Sequence, residues 1–303
     1  MTTIKSFSQL TDHLSLMASK PKVAVVCPYD TDTCEAVFEA LADGLIKAVL
    51  VGEKGKIDAT HIAAKFPDSV EIVDAASDKD AAATAVALAR EGKADILMKG
   101  LIGTDTLLHA VLDKQNGILP PGNLLTHITV SEIPGLDRLI FYSDVAVIPY
   151  PTLEQREKIL MLDAEVLSRF GIENPKVALI HFTEKVNPKF PNSVDYQTMV
   201  GRAQAGEYGR VTVGGPMDVK TAFDLHSAKV KGITSPVAGH ADLLLFPNIE
   251  SANTFYKTMS YFVEVEMAGA LLGTSVPVVL PSRADSASNK YFSLALASMI
   301  SAR

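Results

Sequence analysis

Val23-Ala-Val-Val-Cys27 and, further on, Ala48-Val-Leu-Val51 are short, unbroken apolar runs rich in β-branched residues. A run that is apolar at every position, rather than alternately, reads as a strand covered on both faces. Between the two, Thr31, Asp32 and Thr33 offer N-caps, and Cys34 to Ala42 has helical spacing. Outward from this pair the alternation continues. Ile62 to Phe66 belongs to a short helix, Val70-Glu-Ile-Val73 to a strand and the Ala-rich stretch Ala81 to Glu91 to a helix; Asp95-Ile-Leu-Met98 is a strand and Thr104 to Leu112 a helix. The order β-α-β-α-β-α-β implies a parallel sheet with helices on both faces. Ligands on such sheets sit where strands end and the next helices begin.

The stretch from Leu119 to Pro151 breaks the alternation with Pro120, Pro121, Pro134, Pro149 and Pro151. Two strand-like runs, around Ile128 and from Leu139 to Val147, follow without a helix between them, which marks a crossover to a second domain. Thr152-Leu-Glu-Gln155 has the spacing of a capping box and opens a long helix that ends near Gly171. Strands then read at Lys176 to Phe182, Arg210 to Val213, Ala241 to Phe246 and Val276 to Leu280. Helices read at Asp195 to Ala205, Val219 to Val230, Ala252 to Leu272 and Ala287 to Met299. The fold class is α/β, in two α/β domains with mainly parallel sheets. Fold-level analogy returns the last helix to the first domain, giving 1–128 plus 272–303 as a discontinuous first domain and 129–271 as the second.

Composition limits the function. The chain has 303 residues, 48% hydrophobic and 21% charged, with a net charge of −7. That excludes a disordered chain, and it disfavours nucleic acid and anionic membranes as partners. An anionic substrate then needs a local basic site. Cys27 and Cys34 are the two cysteines; they form neither a disulfide framework nor a zinc site and read as thiols in a reducing cytoplasm. Met1-Thr-Thr-Ile-Lys-Ser-Phe has no signal-peptide pattern, so a cytoplasmic protein is expected. No P-loop, Gly-x-Gly-x-x-Gly, His-Glu-x-x-His or Gly-x-Ser-x-Gly sequence occurs, and no metal-ligand set is read.

Four loops stand out. In Met98-Lys-Gly-Leu-Ile-Gly-Thr104 a strand ends, two glycines let the backbone run close to something, and Thr104 opens a helix. Lys99, Gly100 and Thr104 suit a phosphate oxygen, or simply make a strand-to-helix turn. In Val213-Gly-Gly-Pro-Met-Asp218, Asp218 is either an N-cap or a residue orienting substrate. Gly232-Ile-Thr-Ser-Pro-Val-Ala-Gly-His240 carries Ser235, Gly239 and His240, the last either a base or a structural hydrogen-bonder. In Pro281-Ser-Arg-Ala-Asp-Ser286, Arg283 offers a planar fork for phosphate and Ser282 a hydroxyl for developing charge. Ser286, Asn289 and Lys290 fall within one helical turn and read as facing the same cleft; the alternative is a capped helix start beside a solvated Arg.

Together these loops resemble the phosphate acetyl/butyryltransferase family, its butyryl branch more closely. The similar blocks are Met98-Lys-Gly100 with Thr104, Leu125-Thr-His127 with Glu132-Ile-Pro134, Asn174-Pro-Lys-Val-Ala178 and Glu184-Lys-Val-Asn-Pro188. They continue with Gly215-Pro216 and Asp218, then Ser235-Pro-Val-Ala-Gly239 with Ala241-Asp242, Phe246-Pro247 and Asn253, and end with Ser282-Arg-Ala-Asp-Ser286 and Lys290. The resemblance runs roughly from Val23 to Ala297. It implies a fold similar to isocitrate and isopropylmalate dehydrogenases, with two domains enclosing the active-site cleft and subunits paired as a homodimer or a higher homo-oligomer. It implies the reversible reaction of acyl-CoA with phosphate to give acyl phosphate and coenzyme A. The resemblance further implies a ternary complex, without a covalent acyl-enzyme, a metal or any cofactor beyond coenzyme A as substrate. By the same resemblance Ser282 stabilises the thiolate or the tetrahedral oxyanion, Arg283 binds the phosphoryl group, and Lys99, Gly100 and Thr104 add phosphate contacts. Asp218, Ser235, Gly239, Asn253, Ser286 and Lys290 complete the expected substrate-binding set.

The chain departs from the family in places. The acetyl branch has a catalytic Asp where this chain has Asn289, so the general base is open between Asp285, a His and water. Relatives often carry Arg in the helix where this chain has His109, and Gly-Asn where it has Ala252-Asn253. Two rival readings remain. A metal-dependent decarboxylating dehydrogenase on the same fold needs spaced aspartates, which are not found. A non-catalytic small-ligand binding protein fits poorly with the Ser, Arg, Lys and Asp gathered at strand ends.

Overall fold

The computed structural model describes residues 2–282 and 285–302. The chain opens with α1 (Phe7–Ser15), β1 (Lys22–Val26), α2 (Thr31–Ala42), β2 (Lys47–Gly52), α3 (Lys54–Asp58), α4 (Ile62–Lys65), β3 (Val70–Asp74), α5 (Asp78–Arg90), β4 (Ile96–Lys99) and α6 (Thr104–Val111). It continues through β5 (Thr126–Glu132), β6 (Ile140–Ser143), α7 (Leu153–Arg169), β7 (Lys176–Ile180), α8 (Pro191–Gln204), β8 (Thr212–Met217), α9 (Val219–Phe223), α10 (Leu225–Val230) and β9 (Leu243–Leu245). It ends with α11 (Ile249–Phe262), β10 (Glu266–Leu272), β11 (Val278–Val279) and α12 (Ala287–Ser301).

Two compact units result. The first joins Ser6–Leu125 to the chain from Glu266 onward; the second joins Thr126–Val265 to the residues up to Lys5. The opening residues thus pack with the second unit: the Ile4 amide donates to the Phe170 carbonyl at 2.9 Å and the Thr3 hydroxyl to that of Gly171 at 3.1 Å.

In the first unit β3, β2, β1, β4 and β11 lie side by side and parallel, with β10 antiparallel to β11. Val23 to Val26 are wholly buried, as a strand covered on both faces requires. Helix α12 packs on α2, β10 and α1 and buries Leu294 to Ala297; its Phe292 ring stacks on Phe7 of α1 at 4.4 Å. In the second unit β6, β9, β7 and β8 are parallel and β5 is antiparallel to β6. The Thr152–Gln155 capping box forms at the start of α7.

Several readings from sequence are corrected. The single helix read over Ala252 to Leu272 ends at Phe262, Val263 is extended, and Glu266–Leu272 is a buried strand paired to β11 through Leu271 and Val278. Met, Ala, Leu and Glu are good helix formers, so their local preference is overridden by pairing in the sheet. Gly214 to Met217 read as a loop but belong to β8, and Gly215 sits at the register shift against β7. The helix read over Val219 to Val230 is two helices, because Asp224 is extended and caps the second by accepting from the His226 amide at 2.8 Å. Helix α2 is capped by Asp30, one residue before the candidates read from the sequence. Helix α1 is an addition to the reading from sequence, although Ser6 caps it at Gln9 and Phe7, Leu10 and Leu14 form its buried face; the short helix α3 is a second addition.

Candidate functional site

The parallel strands of the first unit end on one edge, and the candidate loops hang there. Val26 lies opposite Lys99 and Val279 opposite Met98, so β1, β4 and β11 finish side by side. Lys99 is buried, 3% exposed, with Nζ 3.4 Å from the Gly100 carbonyl. Gly100 donates its amide to the Val26 carbonyl at 2.8 Å, and Leu101 donates to that of Cys27 at 2.7 Å. A Cβ on Gly100 would stand 2.4 Å from the Cys27 oxygen. The close approach that this glycine permits is therefore to the end of β1 itself. Gly103, the N-cap of α6, has no side chain to close the helix start, and Thr104 follows it exposed. An uncapped first turn presents N–H groups suited to an anion.

After β11, Ser282 is exposed. Its amide donates to Asp285 Oδ2 at 2.7 Å, and the Asp285 amide returns to the Ser282 carbonyl at 3.2 Å. Arg283 lies outside the described residues. Ser286 caps α12 by accepting from the Asn289 amide at 3.2 Å. The next two candidates diverge from it. Asn289 Oδ1 accepts the Met267 amide of β10 at 3.0 Å. Lys290, 3% exposed, donates to Asp30 Oδ1 at 2.9 Å and to Thr33 Oγ1 at 3.4 Å. Ser286, Asn289 and Lys290 therefore do not face one cleft as the helical spacing suggested. Burial pushes the Asp30 carboxyl up, but the hydrogen bonds from Lys290 and Thr33 outweigh it and hold the group below its ordinary range.

The thiols beside this edge are held in the neutral form by burial. Cys27 has a left-handed backbone with φ 52° and is buried, its Sγ 3.6 Å from Asp78 Oδ1. Burial, then the Asp78 charge, pushes this thiol up to about 11. Burial does the same to Cys34, also to about 11, aided by Asp30 and Glu35. At neutral pH this favours the thiol over the thiolate, the nucleophilic form.

The second-unit candidates each close a local structure. Asp218 caps α9 by accepting from the Thr221 amide at 2.7 Å and pairs with Lys231, which also holds Glu184. Burial works to raise the Asp218 carboxyl, but the Lys231 and Thr221 bonds leave it below its ordinary value. Ser235 Oγ accepts the Val237 amide at 3.3 Å. Gly239 adopts φ +77° beneath Leu225, whose Cγ would lie 2.5 Å from an added Cβ, and donates its amide to the Thr221 carbonyl at 3.0 Å. His240 is exposed, and Asn253 Nδ2 donates to the Val145 carbonyl at 3.0 Å.

Sequence reasoning missed Asp30, a legible cap one residue before the helix, and read Thr33 only as an N-cap candidate, not as a partner of Lys290. It also missed Asp144, whose carboxylate collects the amides of Ala146, Val147 and Ile148 and the Thr126 hydroxyl. No motif marks that residue in advance.

Residues 70–298 match the family model described as phosphate acetyl/butaryl transferase. The chain belongs to this family. Among its relatives, a phosphate butyryltransferase of Clostridium acetobutylicum is 41% identical over 300 residues, 98% of each chain. A phosphate acetyltransferase of Rhizobium meliloti is 35% identical over 290 residues, 94% of this chain and 91% of that one. Among solved structures, a branched-chain phosphotransacylase from Enterococcus faecalis V583 superposes with a TM-score of 0.82 at 28% identity, over 93% of this chain and 99% of that one. The segment matching the phosphate acetyl/butaryl transferase family holds Lys99, Thr104, Ser282 and Lys290, while β1 and Asp30 precede it.

Proposed function

We propose that this chain is a phosphate acyltransferase that reversibly moves a short acyl group between coenzyme A and inorganic phosphate, with butyryl as the preferred group. The observation that carries the reading is likeness across 98% of the chain to a phosphate butyryltransferase. The geometry supports it, because the loops bearing Lys99, Thr104 and Ser282 meet the carboxyl ends of adjacent parallel strands.

In the direction of acyl phosphate synthesis, a phosphate oxygen attacks the thioester carbonyl carbon. The carbonyl π electrons move to oxygen, and the tetrahedral intermediate collapses with cleavage of the C–S bond. The coenzyme A thiolate leaves and takes up a proton. On this proposal Ser282 donates to the developing oxyanion or thiolate and Arg283 holds the phosphoryl group. Lys99 and the open first turn of α6 at Thr104 add positive potential for the same anion. Asp285 holds the Ser282 amide through its carboxylate, which fits a shaping role for that loop. Asp218, Ser235, Gly239 and Asn253 build the second-unit loops, and Ser286 starts α12. The working partners are acyl-CoA, coenzyme A, phosphate and acyl phosphate, with a second copy of the chain in a homo-oligomer. A cytoplasmic setting suits these metabolites, and no helix among the described residues is long and apolar enough to cross a membrane.

The test is phosphate-dependent release of free thiol from acetyl-CoA, propionyl-CoA and butyryl-CoA. Release that requires phosphate, with the highest kcat/KM on butyryl-CoA, is the expected result. Release fastest on acetyl-CoA would change the acyl group, and no release from any of the three would end the reading.

A further inference from the structure

The end of β1 supports both candidate loops of the first unit. On one side it receives the Lys99–Gly100 turn, through the Val26 and Cys27 carbonyls. On the other it leads to Asp30, whose Oδ1 accepts from the Thr33 amide at 3.0 Å, capping α2, and from Lys290 Nζ at 2.9 Å. Lys290 is the fourth residue of α12. Its ammonium is enclosed, with Asp32 at 3.8 Å as a second and more exposed carboxylate. A buried ammonium is strongly unfavourable unless paired, so this contact is maintained throughout the folded state. The neighbouring Asn289 ties the same helical turn to β10 by accepting the Met267 amide. Two tethers thus set where α12 begins, and Ser282 stands four residues before its N-cap, bracketed to Asp285.

We propose that Asp30 and Lys290 form one positioning unit for acyl transfer: the pair fixes the start of α12, and with it the segment carrying Ser282, against the β1 end that also mounts Lys99 and Gly100. Lys290 therefore acts through Asp30 and not as a ligand of the substrate phosphate. This inference rests on the proposed acyl transfer.

The test uses full-length Asp30→Asn, Lys290→Met and the double variant, with kcat, KM for phosphate and for butyryl-CoA, and thermal midpoint measured for each. Displacing a catalytic group by about 1 Å costs up to about 100-fold in rate, so each single change lowers kcat by about 10- to 100-fold. KM for phosphate stays within about threefold, as expected when no ground-state contact is lost. The double variant is no slower than the slower single, because the two side chains act as one unit. A phosphate KM raised by tenfold or more in Lys290→Met, with Asp30→Asn unaffected, would place the ammonium on the substrate and overturn the inference. Additive losses in the double variant, or normal kcat in both singles, would also overturn it. If Lys290→Met does not fold, Asp30→Glu keeps the charge and shifts the carboxylate by one methylene: kcat falling at constant phosphate KM supports the pair, and unchanged kcat refutes it. Absence of phosphate-dependent thiol release by the unsubstituted protein removes the acyl-transfer reading and this inference together. Normal release with indifferent variants removes the inference alone.

Discussion

The strand ends of the two units carry the same vocabulary of Gly, Ser, Asp and Lys, yet they use it differently. In the second unit Asp218, Ser235, Gly239 and Asn253 each complete a cap, a turn, a close approach or a carbonyl bond. In the first unit the same kinds of residue build the frame, as Gly100, Asp285 and Lys290 do, but Ser282 and Thr104 stand exposed and α6 opens without a side-chain cap. Polar richness at strand ends therefore has two physical origins. One is satisfaction of the backbone; the other is placement of polar side chains at the surface.

The largest effect expected from this contrast is in the first unit. Ser282→Ala and Arg283→Ala should each lower kcat by about 100- to 1000-fold while far-UV circular dichroism and thermal midpoint stay near those of the parent. Retention of normal turnover in either variant would remove that residue from the chemistry.

In the second unit the loss should fall on stability. Gly239→Ala puts a Cβ into the left-handed region and against Leu225, so urea unfolding should show a loss of about 1–3 kcal/mol. Asp218→Ala removes an N-cap and should cost about 1 kcal/mol, with kcat per folded molecule changed by less than about threefold. A 100-fold fall in kcat for Asp218→Ala would erase the distinction between the units.

A smaller, pH-dependent effect is expected at Asp163 of α7. It is fully buried, Oδ1 accepts the Ser143 hydroxyl at 3.1 Å and Oδ2 has no partner. Burial raises this carboxyl well above its ordinary range, the Asp144 charge adds to that, and the Ser143 bond only partly opposes it. The folded protein thus keeps a proton that the unfolded chain releases above about pH 4, and stability contributed by the group declines as pH climbs from there. Asp163→Asn has no such slope, so its stability relative to the parent should grow between about pH 4 and pH 7. A constant difference across that range would mean that Asp163 is ionised in the fold.

The smallest change concerns the thiols. With Cys27 and Cys34 both pushed up to about 11, native protein should take up almost no iodoacetamide at pH 8, and unfolded protein should take up two equivalents, read by intact mass. Rapid labelling of the native protein would show an exposed thiolate at the β1 end.

How much of this was legible in the sequence differs from element to element. Val23 to Val26, Ala48 to Val51 and Ile96 to Met98 are apolar at every position, and burial on both faces of a parallel sheet follows from that pattern alone. Thr152 and Gln155 predicted their capping box because the signal spans four residues and needs no distant partner. The ordered blocks from Met98 to Lys290 marked the family. The sequence could not tell that Glu266–Leu272 is a strand, since its residues favour a helix and only the pairing with β11 reverses that preference. Nor could it tell that Gly100 yields to the β1 backbone, or that Lys290, one turn from Ser286, turns away toward Asp30, a residue 260 positions earlier in the chain. Periodicity and caps are local properties, encoded within a few residues. The partner of a buried charge is chosen by which chain segments the packed core brings together, and that choice exists only in the tertiary structure.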